Sequence, residues 1–406
     1  MLSNTVSCKA SPCTSFFRSS AGNMRPVSAF VSRFIAFLFA VLLVNTAAAE
    51  SNDIILGQSA PLSGSFSELG AAYRDGAQLY FDKINQAGGV NGRKVRLVTL
   101  DDAYDAKRAK ANTQELIDKQ NVLALFGYMF TNTVFASLPI ATRASVPFVA
   151  PYAGNDELYT EPANPVLFMT RASYATELDT LLRHIQTMGL KRVVLARYDS
   201  VGGAALQKDL ETKMKAINLE PVGVATMKLN SLQPGEAVTK LEKLHPDAIV
   251  LGVSGGDAVA FVRQFKQASN NSPVQFLARS LIGGHQLVAD LGREGRGIVI
   301  SQAAPSPSNG KTRISREYQT ALKTVNIDAK LTSSYIGLEG YIAAKVMVEG
   351  LRRSGAKINR QTLTTALETM HDWDMGDFMM NYSANSHSGS KFVTVTVIGV
   401  GGHFIE

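Results

Sequence analysis

The chain has 406 residues, 41 Lys plus Arg against 34 Asp plus Glu, two cysteines and 45% hydrophobic residues. That composition excludes a disordered, collagen-like or disulfide-stapled chain and leaves room for a large core divided over two or three domains. The formal charge of +7 invites a nucleic-acid reading, so the placement of the charges is decided first.

Residues 1–49 hold Lys9, Arg18, Arg25 and Arg33 and no acid, followed by the 11-residue apolar run Phe34–Val44 and the small residues Ala47-Ala48-Ala49. A basic start, a short apolar stretch and an A-x-A end read as a secretory signal. The run falls well short of the ~20 residues that span a bilayer. Met24 opens a leader of more ordinary length, so 1–23 reads as an over-extended start. Without 1–49 there remain 357 residues with 37 basic and 34 acidic side chains, a net charge of +3, and no cysteine, since Cys8 and Cys13 belong to the leader. No thiol then serves a disulfide, a metal or a nucleophile, and no cysteine at the cleavage point signals a lipid anchor. The expectation is a soluble protein of the periplasm with no nucleic-acid partner.

From Asp53 onward, short β-branched runs alternate with helical stretches. Ile54–Gly57 reads as a strand, and the spacing of Leu69, Tyr73, Gly76, Tyr80 and Ile84 predicts a helix over 68–86. Gly88-Gly89 and Asn91-Gly92 break it, and Lys94–Leu100 returns as a strand. Helices near 106–119 and 132–142 alternate with strands at 122–126 and 147–150. A second series follows, with helices at 172–188, 203–217, 235–243 and 257–268 and strands at 192–196, 221–226, 247–252 and 274–277. Helices near 282–291, 312–323, 334–354 and 360–370 lead to a last strand at 391–398, which has no helix after it and is expected on the edge of an earlier lobe. Such alternation implies parallel sheets covered on both faces, and this length favours two doubly wound lobes.

Little in the chain carries catalytic chemistry. The six histidines, at 184, 245, 285, 371, 387 and 403, form no H-x-x-x-H pair and stand with no carboxylates at metal spacing. Asp101-Asp102 closes a strand and reads as a cap, and the Lys107–Lys110 cluster reads as a solvated helix face. Gly252-Val253-Ser254-Gly255-Gly256 matches G-x-S-x-G between a strand and a helix, where a hydrolase nucleophile belongs. It lacks an upstream oxyanion loop, and a Gly/Ser turn is also the ordinary end of a parallel strand. The same turns permit binding without chemistry: Thr131-Asn132-Thr133 and Ala153-Gly154-Asn155 follow strands and open helices, where free N–H groups accept a carboxylate.

Ile84-Asn85-Gln86-Ala87-Gly88-Gly89-Val90-Asn91-Gly92-Arg93-Lys94 with Asp101-Asp102, together with Ala60–Gly64, Val146–Pro151 and the helix 334–355, resembles leucine/isoleucine/valine-type periplasmic binding proteins over about 53–404. The resemblance implies a type I clamshell, an α/β fold of two doubly wound lobes joined by three crossing segments. The first lobe would comprise 51–171 plus about 303–388, and the second 172–302 plus about 389–406. It implies a monomer that captures a small solute by hinge closure and delivers it to the permease subunits of an ABC importer, with no cofactor, metal or catalytic residue; a ligand-sensing receptor domain shares the fold. By resemblance, Thr131 and the backbone at Ala153 and Gly154 hold a carboxylate. Leu69, Tyr128, Phe130 and Tyr152 form apolar walls, and Tyr198, Gly202, Ser254, Arg279, Ser280 and Tyr335 close from the other side. The Thr and Glu that hold an ammonium in amino-acid binders fall on Gly154 and on or beside Ser280, and two closing aromatics fall near Gly202 and Gly255. A buried ammonium without a partner is costly. The expected solute is therefore an organic or aromatic acid, or an amino-acid derivative, rather than leucine.

Overall fold

The computed structural model describes residues 53–324 and 334–406, with Ser15 apart from them. The apolar run 34–44, the cleavage site expected at 47–49 and both cysteines lie outside the described residues. Among the described residues no helix is long and apolar enough to cross a membrane.

Ile54–Ala60 (β1) is buried along nearly its whole length. A central parallel strand is covered on both faces, which is why it lacks polar alternation. Its polar members have partners: Ser59 donates to Asp102 at 2.7 Å and Gln58 to the Gly127 carbonyl at 2.9 Å. Val95–Asp101 (β2), Ala124–Phe126 (β3), Phe148–Val149 (β4) and Leu167–Phe168 (β5) complete a parallel sheet in the order β2-β1-β3-β4-β5. Ser67–Gln86 (α1), Ala106–Asp118 (α2) and Thr131–Arg143 (α3) connect these strands.

Tyr174–Thr187 (α4) then leads into a second sheet. Val193–Tyr198 (β6), Gly223–Met227 (β7), Ala248–Gly252 (β8), Gln275–Ala278 (β9) and Val299–Gln302 (β10) run parallel. Val201–Ala216 (α5), Gly235–Glu242 (α6), Gly255–Ala268 (α7) and His285–Leu291 (α8) lie between them. Apolar clusters cover both faces of each sheet.

The chain leaves the first sheet after β5 and returns after β10 through Arg313–Leu322 (α9), Tyr335–Arg353 (α10) and Arg360–Glu368 (α11). After the small hairpin Trp373–Asp374 (β11) and Met379–Met380 (β12) it crosses a third time to Thr394–Ile398 (β13). Two crossings run side by side: Met169 bridges Ser388, and the His387 ring stacks on Phe168 at 3.8 Å while its Nδ1 lies 2.9 Å from the Leu167 carbonyl. α10 packs tightly against α1 because glycines remove the side chains between them. A Cβ on Gly76 would lie 1.9 Å from the Gly337 carbonyl oxygen, and one on Gly340 would lie 2.1 Å from that of Tyr73.

The strands and helices expected from 54 to 278 all form, with ends shifted by no more than about three residues. Past that point the helices expected near 312–323, 334–354 and 360–370 and the strand at 391–398 form within the same margin, and one element differs. The helix expected at 282–291 is broken at Gly283-Gly284, leaving a short turn at Ser280–Ile282 before α8. β5, β10, the hairpin and Phe404–Ile405 (β14) have too few residues, or too little alternation, to be visible in sequence. The strand expected at an edge, β13, pairs antiparallel with β10 and carries β14 outside it, so β14 is the edge.

Candidate ligand-binding site

The carboxyl ends of both parallel sheets open onto one cleft, the place where open α/β sheets take ligands. From the first lobe it is lined by Phe66, Tyr104, Phe130, Thr131, Asn132, Asn155 and Asp156. From the other side come Tyr174, Tyr198, Ser200, Gly202, Asp209, Ser254, Arg279 and Leu281, and the cleft volume is about 120 Å³.

Thr131 is the first residue of α3, and the residue before it, Phe130, provides no side-chain cap. Phe130 sits at φ +69°, a region that non-glycine residues rarely adopt, and its N–H donates to the Tyr152 carbonyl at 2.9 Å. The first-turn N–H groups of a helix have no intrahelical acceptor and carry its positive dipole end, so this terminus suits an anion. Around it the rings of Phe66, Tyr104 and Phe130 pack mutually, with centroids 4.7, 5.1 and 5.0 Å apart. Asp101-Asp102 are caps, as their place at a strand end suggested. Asp102 accepts from the Tyr104 N–H at 2.8 Å and so sets the turn that presents Tyr104. Burial works against the Asp101 charge, but the Ser63 hydroxyl, the Leu62 and Ala103 amides and Arg108 outweigh it and hold the carboxyl down at about 2.

On the far side, Tyr198 is held by a buried carboxylate. Its hydroxyl donates to Asp257 at 3.0 Å and accepts from the Ser254 N–H at 3.0 Å, while Asp257 also accepts from the amides of Asn230 and Leu232 at 2.8 and 2.9 Å. Ser254 lines the cleft, among the described residues no histidine does so with it, and the Asp257 carboxylate is taken up by Tyr198 and the two amides. Arg279 lies with its guanidinium 4.3 Å from the centroid of the Tyr174 ring. Burial and the like charge of Asp156 raise the Asp209 carboxyl, against which Arg279 and two lysines act.

Of the residues singled out from sequence, Phe130, Thr131, Tyr198, Gly202, Ser254 and Arg279 line this cleft together. The others lie elsewhere. Tyr128 is wholly buried against Phe148 and shares a hydrogen bond with Thr113. Tyr152 and Ala153 are wholly buried, Tyr152 with its carbonyl accepting from the Phe130 N–H and its ring edge-on to that of Phe130. Leu69 meets the turn at Gly284, beside Glu68, which accepts from the Gln286 N–H at 2.9 Å. Tyr335 lines a separate cavity of about 160 Å³ with Ser280, Gln302 and Phe404.

Gly154 and Ser280, where an ammonium's partners would fall by resemblance, are each occupied from within the protein. The loss of a side chain at 154 does not enlarge the cleft, because the Tyr174 ring fills that volume, with ring atoms 2.4 and 2.5 Å from where a Cβ would stand. Ser280 faces inward: its N–H and hydroxyl hold the Glu177 carboxylate at 2.8 and 3.0 Å. Glu177 also accepts from Ser301 at 2.8 Å and pairs with Arg171 at 3.1 Å, and Arg171 lies 3.2 Å from Glu339 of α10. Arg171 is 2% exposed and its guanidinium lies 4.4 Å from the Tyr152 ring centroid. This ion cluster binds the first crossing to α4, β10 and α10. Burial and the nearby Glu177 push the Glu339 carboxyl up to about 7 in spite of Arg171.

Sequence reasoning missed Phe66, Tyr104, Tyr174, Asp156 and Asp209. Phe66 and Tyr104 lie in loops without periodicity, and the others lie in turns or on helix faces whose direction depends on the packing of two lobes.

A family model for periplasmic binding proteins matches residues 53–402. A Leu/Ile/Val-binding protein homolog of Brucella melitensis is 23% identical over 329 residues, covering 80% of this chain and 85% of that one. Matches to curated relatives span from 55% to 85% of those relatives' lengths. A substrate-binding periplasmic protein from Ralstonia solanacearum has 30% identity and a TM-score of 0.79, covering 87% of this chain and 99% of that one. A solute-binding protein of an ABC transporter from R. palustris, in complex with benzoate, has 20% identity and a TM-score of 0.74 over 87% of this chain and 95% of that one. The chain belongs to the periplasmic binding protein family, with the type I fold of its Leu/Ile/Val-type members, a family of extracytoplasmic solute binders and not of enzymes.

Proposed function

We propose that this protein captures a small carboxylate for an ABC importer by closing two lobes around it. The observation that carries the reading is the uncapped N-terminus of α3 at Thr131, which shares an aromatic-lined cleft with the Arg279 guanidinium. Both attract an anion, and the rings suit an apolar or aromatic body. The cleft volume of about 120 Å³ is of the order of the ~150 Å³ cavity that accepts benzene. A fold neighbour described as a benzoate complex supports the view that this architecture accepts acids without an ammonium. Asp156 and Asp209 favour a second reading, in which a cationic group of the solute sits between them. Arg279 and two lysines already act on Asp209, so the acid reading is preferred.

In this reading the protein is exported by its first 49 residues, works as a monomer in the periplasm and docks on permease subunits. The first lobe is 51–171 with about 303–388, and the second 172–302 with about 389–406. A thermal-shift screen of benzoate, 4-methyl-2-oxopentanoate, succinate and L-leucine tests the ligand class. A solute that binds only the folded state raises the melting temperature, by the equivalent of about 2.7 kcal/mol at a hundred times its Kd. The expected result is stabilisation by an ammonium-free acid; stabilisation by leucine alone would refute it.

A further inference from the structure

We propose that Tyr174 is a ligand-binding residue: its hydroxyl donates to the anionic group held at Thr131, and with Arg279 stacked on its ring it selects solutes that carry no ammonium beside that group. This rests on the carboxylate reading above and deepens it. Tyr174 opens α4, and its N–H donates to the Gly154 carbonyl at 2.6 Å. The ring occupies the volume of any side chain at 154, so glycine there and tyrosine here are one feature. Arg279 covers the ring at 4.3 Å and the buried Arg171 stands 5.9 Å from its centroid. Two cations on an electron-rich ring hold its orientation.

The hydroxyl is the part that the protein alone does not explain. Tyr174 is 7% exposed and lines the cleft, yet its oxygen is enclosed and closes no hydrogen bond of good geometry with any described group. Its polar neighbour is Thr131, which acts on the Tyr174 oxygen as a donor and leaves the phenol's own proton without an acceptor. A buried donor without an acceptor is costly, so an acceptor delivered by the solute resolves the cost. A neutral phenol offers one donor, and a carboxylate accepts only. An ammonium at the same point would face the positive end of α3 and the Arg279 charge together. The same geometry therefore grips the anion and rejects an amino group next to it.

The test uses the full exported protein and titration calorimetry with benzoate, 4-methyl-2-oxopentanoate and L-leucine. Tyr174→Phe keeps the ring and its stack and removes only the donor. The expected result is at least an approximately tenfold weaker Kd for the acid that the wild type binds best, with the melting temperature of the free protein nearly unchanged. Gly154→Ala, which retains the hydroxyl but displaces the ring that positions it, is expected to weaken the same acid as well. Binding by Tyr174→Phe within twofold of wild type overturns the role of the hydroxyl while leaving the carboxylate reading intact. A wild type that prefers L-leucine overturns the carboxylate reading itself, and this inference with it.

Discussion

Replacing Glu339 by glutamine is expected to stabilise the protein above neutral pH, against the intuition that removing half of a buried ion pair is damaging. Glu339 faces Arg171, Glu177 and the hydroxyl-bearing rings of Tyr73 and Tyr152. Burial and Glu177 together outweigh Arg171, so its carboxyl rises from 4.5 to about 7. In the unfolded chain the proton leaves near the ordinary value, whereas the folded chain keeps it to about 7. Between those limits the native state binds more protons, so stability falls as pH rises through this window and is level beyond it. At 1.36 kcal/mol per pH unit the loss is about 3 kcal/mol. Glu339→Gln carries no proton to lose, and Arg171 retains Glu177 at 3.1 Å. Urea unfolding from pH 5 to 8.5, followed by circular dichroism and by the fluorescence of the single tryptophan, Trp373, gives both curves. The difference between variant and wild type removes other titrating groups, such as the partly buried His184. The variant is expected to gain up to about 3 kcal/mol over wild type between pH 5 and pH 8. If the two curves run parallel, or if the variant loses the 3–5 kcal/mol typical of a broken buried pair, the reasoning fails.

Gly76→Ala places a methyl 1.9 Å from the Gly337 carbonyl and forces α1 and α10 apart; a loss at or above the upper end of the 1–3 kcal/mol range for overpacking is expected in urea unfolding. Asp257→Ala removes the acceptor for two amides and the Tyr198 hydroxyl. It is expected to cost about 2–4 kcal/mol by the same measurement and to weaken solute binding in calorimetry, because Tyr198 loses its anchor at the cleft.

The alternation of strand and helix, and with it the doubly wound class, is legible in the residue pattern alone. Periodicity reports which face of an element is apolar, and long elements such as α1 and α10 carry many repeats of that signal. The family resemblance singled out Phe130, Thr131, Tyr198, Gly202, Ser254 and Arg279, and these six line one cleft. The rest depends on which residues distant in the chain come to pack together. Whether Gly154 leaves a hole depends on Tyr174, 20 positions away, and whether Ser280 faces a solute depends on Glu177, 103 positions away. Short strands such as β5 and β14 owe their existence to partners already in place, not to their own residues. The same holds for the charge on Glu339. A carboxylate reads alike at any position in a sequence, and only burial beside Arg171 and a second carboxylate shifts its proton into the neutral range.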